Sequence, residues 1–471
     1  MRDGYVRQAI VLALLVLAFF LVITALLFAT ARGEEPEGEA DPTTLVSLPA
    51  APLSGGYHPD GCRLQGWEWT LAEFSGWHRG HNYSHRRRSS RRHSRARRDR
   101  DNGLVARYNR VEGLYLGVRF GRERWWRRPY YNFALWGEGG YGFSSKAWRY
   151  QVGLERFFEI AGDRRYPVYR FVLGAEAHDL TETQDEWIMP SWENALAAFF
   201  VKEDFHDFYR RVGFSGYLEQ ELAQSILIHA EYRNDRYENM PDDPAVRKAT
   251  NWSLFGGKKD FRPNPLIDEG YLRGAVGRIT LDTRDDTRAP DQGWYIQAQA
   301  EFYGRQVESD YEFDRFILDI RRYQPLGFGE NLDLRLRAGS SRGPLPRQFL
   351  FDLGGISTLR GYRFKEFTGS RMLLANVEYR LRADSDVMPD IWSDLLGGLN
   401  LVIFFDAGLA WFPKDDSRFD RGFEDIQWRD LKTNVGLAFT DRRGRVRLNF
   451  ARRTDSGSAP IVVTFRLNRA F

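Results

Sequence analysis

The stretch Phe351-Asp-Leu-Gly-Gly-Ile-Ser-Thr-Leu-Arg-Gly-Tyr362 holds one cation, Arg360, wrapped in glycines. Two later stretches alternate apolar and polar residues, and each carries a carboxylate on its polar side: Glu378 between Val377 and Tyr379, and Asp406 beside Phe405. If these are neighbouring strands of one sheet, the two carboxylates face the same side and repel unless a cation stands between them. A guanidinium, planar and forked, can bridge both. Gly354, Gly355 and Gly361 permit the compact loop that would deliver it, with Leu359 and Tyr362 on either side of the Arg360-Gly361 pair. The chemistry expected of Arg360, Glu378 and Asp406 is thus a buried ion-pair bridge between a loop and two strands.

Catalytic chemistry has less support. Of eight histidines, five lie between His58 and His93, leaving His178, His206 and His229. His206 sits in Glu203-Asp-Phe-His-Asp207, but no HExxH spacing, nucleophile elbow or phosphate-binding loop accompanies it. His229 falls on the polar side of its strand and reads as filler of a polar interior. The expectation is a protein without catalytic residues, metal or cofactor, and not an enzyme.

The elements that must position the bridge come from a repeated pattern. Trp148, Tyr150, Val152 and Leu154 alternate with Arg149, Gln151, Gly153 and Glu155, and Leu332, Leu334, Leu336 and Ala338 alternate with Asp333, Arg335 and Arg337. Charged residues opposite such apolar and aromatic ones, strand after strand, fit a membrane β-barrel with a polar lumen better than a soluble sandwich. The mean hydropathy of -0.52 is compatible with such a barrel and argues against a bundle of membrane helices. Fifteen strands are legible, beginning near Val111, Tyr131, Ala147, Val168, Tyr209, Ser225, Tyr271, Gly293, Phe313, Asn331, Met372, Leu399, Leu431, Arg445 and Pro460. An even number is required when both ends lie on one side of the membrane, so a short first strand near Gly103 to Arg110 would make sixteen; fourteen, or one strand contributed by the segment around Trp67, is the alternative. The longest connections, Glu182 to Phe208, Glu238 to Glu269 and Arg342 to Arg371, then share one side, expected to be extracellular.

The chain ends Pro-Ile-Val-Val-Thr-Phe-Arg-Leu-Asn-Arg-Ala-Phe471, which places Phe465, Leu467 and Phe471 on the outward face of a last strand, with Arg469 snorkelling on the same face. At the other end, Arg2 and Arg7 precede an apolar run from Ala9 to Phe28 and the small-x-small triplet Ala29-Thr30-Ala31, the form of an export signal over residues 1–31. An uncleaved inner-membrane anchor is the alternative for so long a run, and with it a soluble β-protein. Residues 32–102 read as a disordered, low-complexity tether. Its run containing Arg86, Arg87, Arg88, Arg91 and Arg92 suits phosphate-bearing lipid; behind an export signal, a nucleic-acid role is not expected.

Three motifs in order resemble the barrel of the BamA/TamA-type surface-antigen superfamily of outer-membrane proteins: Leu281-Asp-Thr-Arg to Gln-Gly-Trp294, Leu353-Gly-Gly to Arg-Gly-Tyr362 with Asn376-Val-Glu-Tyr-Arg380, and Phe404-Phe-Asp-Ala-Gly408. The closing Phe471 is similar to the C-terminal assembly signal of such proteins. The resemblance spans residues 103–471 and implies an all-β fold, a transmembrane antiparallel barrel whose sixth extracellular loop folds inward and docks its arginine on lumenal acids. It also implies residence in the outer membrane with the N-terminal segment periplasmic. The implied partners are outer-membrane lipids including lipopolysaccharide, the barrel-assembly machinery for its own insertion, and a protein or lipid client. The departure is in residues 32–102, too short and polar for the POTRA domains that receive clients in many members. The implied function is outer-membrane biogenesis or translocation through a weakly paired seam between first and last strands; the alternative is a passive pore or an adhesive surface barrel working through its long loops.

Overall fold

The structure, a computed structural model, describes residues 103–120, 133–160, 169–222, 225–240, 248, 250–327, 329–383, 398–423 and 426–471. The expected export signal and the expected arginine-rich tether lie outside the described residues. Sixteen strands form one antiparallel sheet. They are β1 (Gly103–Asn109), β2 (Gly113–Phe120), β3 (Phe133–Gly142), β4 (Ala147–Ile160), β5 (Tyr169–Glu182), β6 (Tyr209–Leu222), β7 (Ile226–Asn239), β8 (Gly270–Asp282), β9 (Gly293–Tyr303), β10 (Phe313–Gly327) and β11 (Glu330–Arg342), then β14 (Arg371–Leu381), β15 (Asn400–Trp411), β16 (Lys432–Thr440), β17 (Arg447–Arg453) and β18 (Val462–Arg466). Two short strands, β12 (Phe351–Leu353) and β13 (Phe367–Gly369), pair with each other inside the β11–β14 connection. The expected first strand is present as β1, so the count among the described residues is sixteen.

Each strand pairs with its sequence neighbours, so the connections alternate between two ends. The three long ones, after β5, β7 and β11, all emerge at one end. Alternation sets the faces. Trp148 is 70% exposed, and Leu154, Ile403 and Phe465 also point out, whereas Asp319, Arg335, Glu378 and Asp406 are buried within. An apolar exterior around a charged interior is the inverse of a soluble protein and the form a membrane barrel requires.

Turn chemistry holds the other end. In the β8–β9 hairpin the Asp285 carboxylate accepts from the backbone N–H groups of Asp286, Asp291 and Gln292, and Asp286 accepts from those of Arg288 and Ala289. Asp441 does the same for Arg445 and Val446 between β16 and β17.

Among the described residues β1 and β18 share no ladder, and they are two of the shortest strands in the sheet. The lumen is filled by the β11–β14 connection and by the β5–β6 connection, which carries the helix α1 (Ser191–Val201). Residues from both, Ile188, Met189 and Ile356, form a common apolar cluster with Trp187, Phe205 and Phe364 packed on it.

Candidate functional site

The β11–β14 loop turns on itself at Gly354 and Gly355, whose φ angles of 122° and 79° suit glycine. The Gly355 N–H donates to the Leu359 carbonyl at 2.9 Å and the Gly354 N–H to Thr358 Oγ1 at 2.9 Å. Leu359 and Tyr362 then bury among Phe351, Leu353, Met372 and Leu374, pinning the loop on the lumenal wall.

That turn sets Arg360 against β14 and β15, with 1% of its surface exposed. Its Nε donates to Asp406 Oδ2 at 2.8 Å, Nη2 to Asp406 Oδ1 at 2.6 Å, and Nη1 to Glu378 Oε1. The guanidinium lies 3.6 Å from the centre of the Phe404 ring. The structure therefore brings together Arg360, Glu378 and Asp406.

It also adds members that the reading of single strands missed. Arg447 of β17 donates to both oxygens of Glu378, at 2.8 Å each. Asn376 and Asn434 each donate to Asp406 at 2.8 Å, and Asn376 also to the Thr358 carbonyl at 2.9 Å. Two guanidiniums thus face two carboxylates, so Arg360 is not the sole counter-charge. Asn376, Asp406 and Asn434 are direct partners across β14, β15 and β16, a register that strand-by-strand alternation leaves open. Gly361 touches the wall where a Cβ would stand 2.8 Å from Asn434 Cβ and 2.9 Å from the Arg453 nitrogen.

The β5–β6 connection makes a second lumenal site. Glu193 of α1 accepts from Arg466 Nε at 2.8 Å and Nη2 at 2.9 Å, and from the Leu467 N–H at 2.6 Å. Arg466 Nη1 reaches Ser357 of the other inserted loop. At the far end of α1, Phe199 packs edge-on against Tyr108 of β1 at 5.7 Å, and Trp252 joins them. Just beyond β1, the Arg110 N–H donates to Asp204 at 2.9 Å and its Nη2 to Asp207 at 3.0 Å. One connection thus holds both unpaired edges of the sheet. His206 serves it structurally, bonding the Met189 carbonyl at 2.8 Å.

Lys365 ties the two inserted loops together, 2.8 Å from Asp185, 2.6 Å from Asp207 and 3.2 Å from Asp352. Burial opposes its charge, but the three carboxylates outweigh burial and raise its pKa above the ordinary lysine value. Burial likewise opposes the Asp207 charge, but Lys365 and Arg262 prevail and lower its pKa to about 2.

The C-terminus departs from expectation. Phe465 points outward on β18, 55% exposed, but the strand stops at Arg466 and Phe471 does not continue its face. Glu193 is the physical reason, since it draws the Arg466 side chain inward and takes the next backbone N–H from any ladder. Beyond it the chain runs under the lumen. Arg469, expected to snorkel outward, lies 3.6 Å from Asp291, and the Phe471 carbonyl accepts from Tyr323 Oη at 2.9 Å. Among the described residues no three His, Cys, Asp or Glu side chains are grouped to hold a metal.

Residues 196–468 match the profile described as the Omp85 superfamily domain. A curated relative, outer membrane protein assembly factor BamA of Nitratidesulfovibrio vulgaris, is 26% identical over 273 residues, which are 54% of this chain and 30% of that protein. The chain thus spans under a third of that relative's length. Among solved structures, BamA from Haemophilus ducreyi lacking POTRA domains 1-3 aligns with a TM-score of 0.42 and 12% identity over 77% of this chain and 68% of that one. CdiB from Acinetobacter baumannii gives 0.36 and 11% over 77% and 58%.

Proposed function

The chain belongs to the Omp85 superfamily of outer-membrane β-barrels, and on that premise we propose that it inserts or translocates protein or lipid at the outer membrane by opening the seam between β1 and β18. The observation that carries this reading is the seam itself. Two short edge strands share no ladder among the described residues, and the α1 connection grips both instead. Opening such a seam breaks side-chain contacts of one connection rather than a row of backbone hydrogen bonds.

In this reading the three long connections face the cell exterior and the N-terminal segment lies in the periplasm. The Arg360 bridge keeps β14, β15 and β17 in register while the seam moves, because it joins side chains of all three strands around one loop guanidinium. Phe465 and the terminal residues guide the protein's own assembly, and Arg86, Arg87, Arg88, Arg91 and Arg92 meet phosphate-bearing lipid, lipopolysaccharide included.

The test combines two measurements. In planar bilayers the wild-type barrel is expected to show rare, brief openings, and Glu193→Gln more frequent ones. Depletion followed by proteomics and lipid analysis of the outer membrane then identifies the client as the species that falls. A wide, steady conductance in the wild type, together with an unchanged outer membrane on depletion, would show a passive pore instead.

A further inference from the structure

On the lumenal wall formed by β10 and β11, three arginines converge on one carboxylate. Arg321 Nε and Nη2 reach Asp319 at 3.0 Å each, Arg335 Nη2 at 2.7 Å and Nε at 3.3 Å, and Arg337 Nη1 at 2.7 Å. Asp319 lies directly across from Arg337, and Arg321 directly across from Arg335. Like charges placed opposite each other on one sheet face are destabilising, and one carboxylate cannot balance three guanidiniums.

The nearest lumenal carboxylates do not make up the difference. Glu301 of β9 is engaged by Arg315 at 3.6 Å and by Gln299 at 2.5 Å, and Asp333 of β11 by Arg380 at 3.4 Å and Asn331 at 2.5 Å. The cluster keeps an excess of two positive charges. Arg335 is 2% exposed and Arg337 7%, yet Arg335 Nη1 and Arg337 Nε find no partner among the described residues. Buried guanidinium N–H groups left open are costly, and charge-assisted hydrogen bonds to an oxyanion remove that cost.

On one side the cluster is roofed by an aromatic face. Trp187, from the connection that carries α1, lies 4.2 Å from the Arg337 guanidinium carbon and 5.2 Å from that of Arg335. The ring is apolar and offers no acceptor for the open N–H groups.

From this geometry we infer that Arg321, Arg335 and Arg337 form a lumenal binding site for a phosphate group, whose two negative charges and several acceptor oxygens match the excess charge and the open donors. The inference goes beyond the seam reading and does not depend on it. The phosphate arrives either as the free ion or on a lipid headgroup, and both present the same oxygens.

The test uses the full barrel in detergent micelles and follows the midpoint of its heat-modifiable transition against inorganic phosphate, with ionic strength balanced by sodium chloride. The expected result is a saturable rise of several degrees, on the order of that given by a ligand at about a hundred times its Kd. Arg337→Gln weakens the apparent affinity roughly tenfold or more, the loss of a charge-assisted hydrogen bond. Arg321→Gln, at the more exposed edge of the cluster, keeps the test decisive if Arg337→Gln fails to fold. Phosphorus NMR line broadening then compares inorganic phosphate with a short-chain phosphatidic acid: broadening of both assigns the site to phosphate in general, and of the lipid alone to a headgroup. A chloride response equal to that of phosphate, an undiminished shift in the folded arginine variants, or no broadening of either probe overturns the site.

Discussion

Glu193 and Arg466 are separated by 273 positions, yet in the lumen they form a forked, buried ion pair that fixes the end of the last strand to a helix inserted from the opposite half of the barrel. Because the same helix packs on β1 through Phe199 and Tyr108, the pair governs how both seam edges are held.

Glu193→Gln leaves Arg466 buried without its counter-charge. Breaking a buried pair by removing one partner costs about 3–5 kcal/mol, and glutamine, which still accepts a hydrogen bond, falls at the lower end. The heat-modifiable transition of the variant should drop and its bilayer openings rise. Exchanging the charges, Glu193→Arg with Arg466→Glu, should recover part of both; an unaltered opening frequency in Glu193→Gln would remove α1 from the gating account.

Arg360→Ala should be more harmful than Asp406→Asn. The first strips the counter-charge from Asp406 and leaves Arg447 to hold Glu378 alone. The second keeps the Arg360 pairing with Glu378, and the one remaining carbonyl oxygen at position 406 still accepts from Asn376 or Asn434. About 3–5 kcal/mol is expected for Arg360→Ala, read as loss of heat-modifiable barrel; Arg360→Lys, lacking the fork, should not restore it. Equal midpoints for Arg360→Ala and wild type would show the bridge to be dispensable.

Gly361→Ala tests close approach. Its methyl group would meet Asn434 Cβ and the Arg453 backbone nitrogen below ordinary contact distance, and overpacking of this kind costs about 1–3 kcal/mol. Protease nicking within residues 343–370 should increase, because the loop tip is pushed off the wall. Protection equal to wild type would mean that the strand edge yields instead.

Acid should loosen the two inserted loops from each other. The pKa of Asp207 is depressed to about 2, so its contribution is present above the unfolded value near 3.8 and is lost as the pH falls from there towards 2. Lys365 is raised, so its contribution is complete below about 10.5 and fades only as pH climbs through the higher folded value. Burial pushes the Asp352 pKa up, which works the other way in acid and moderates the loss. Asp207→Asn should therefore flatten the acid limb of stability between roughly pH 4 and 2 while leaving the alkaline limb to Lys365. An acid limb identical to wild type would place the acid sensitivity elsewhere.

Much of the barrel is legible in the chain because alternation is a local property. Whether Glu378 or Arg335 faces in or out follows from the apolar residues on either side; counting such runs yields fifteen strands, and the short β1 follows only from the need for an even number. The same logic assigned Asp406 to the lumen and made Arg360, set among glycines, its natural partner. What alternation cannot contain is the destination of a loop or the registration of distant strands. Arg447 and Asn434 join the bridge only through the pairing of β14 to β17, and Glu193 meets Arg466 only once α1 is inside. The turn of the C-terminus under the lumen follows from that meeting, since a buried guanidinium follows its carboxylate whatever face the strand pattern would have given the residues beyond it. Local side-chain periodicity thus determined the wall of this protein, and long-range pairing of buried charge, decided only in the folded chain, determined what fills it.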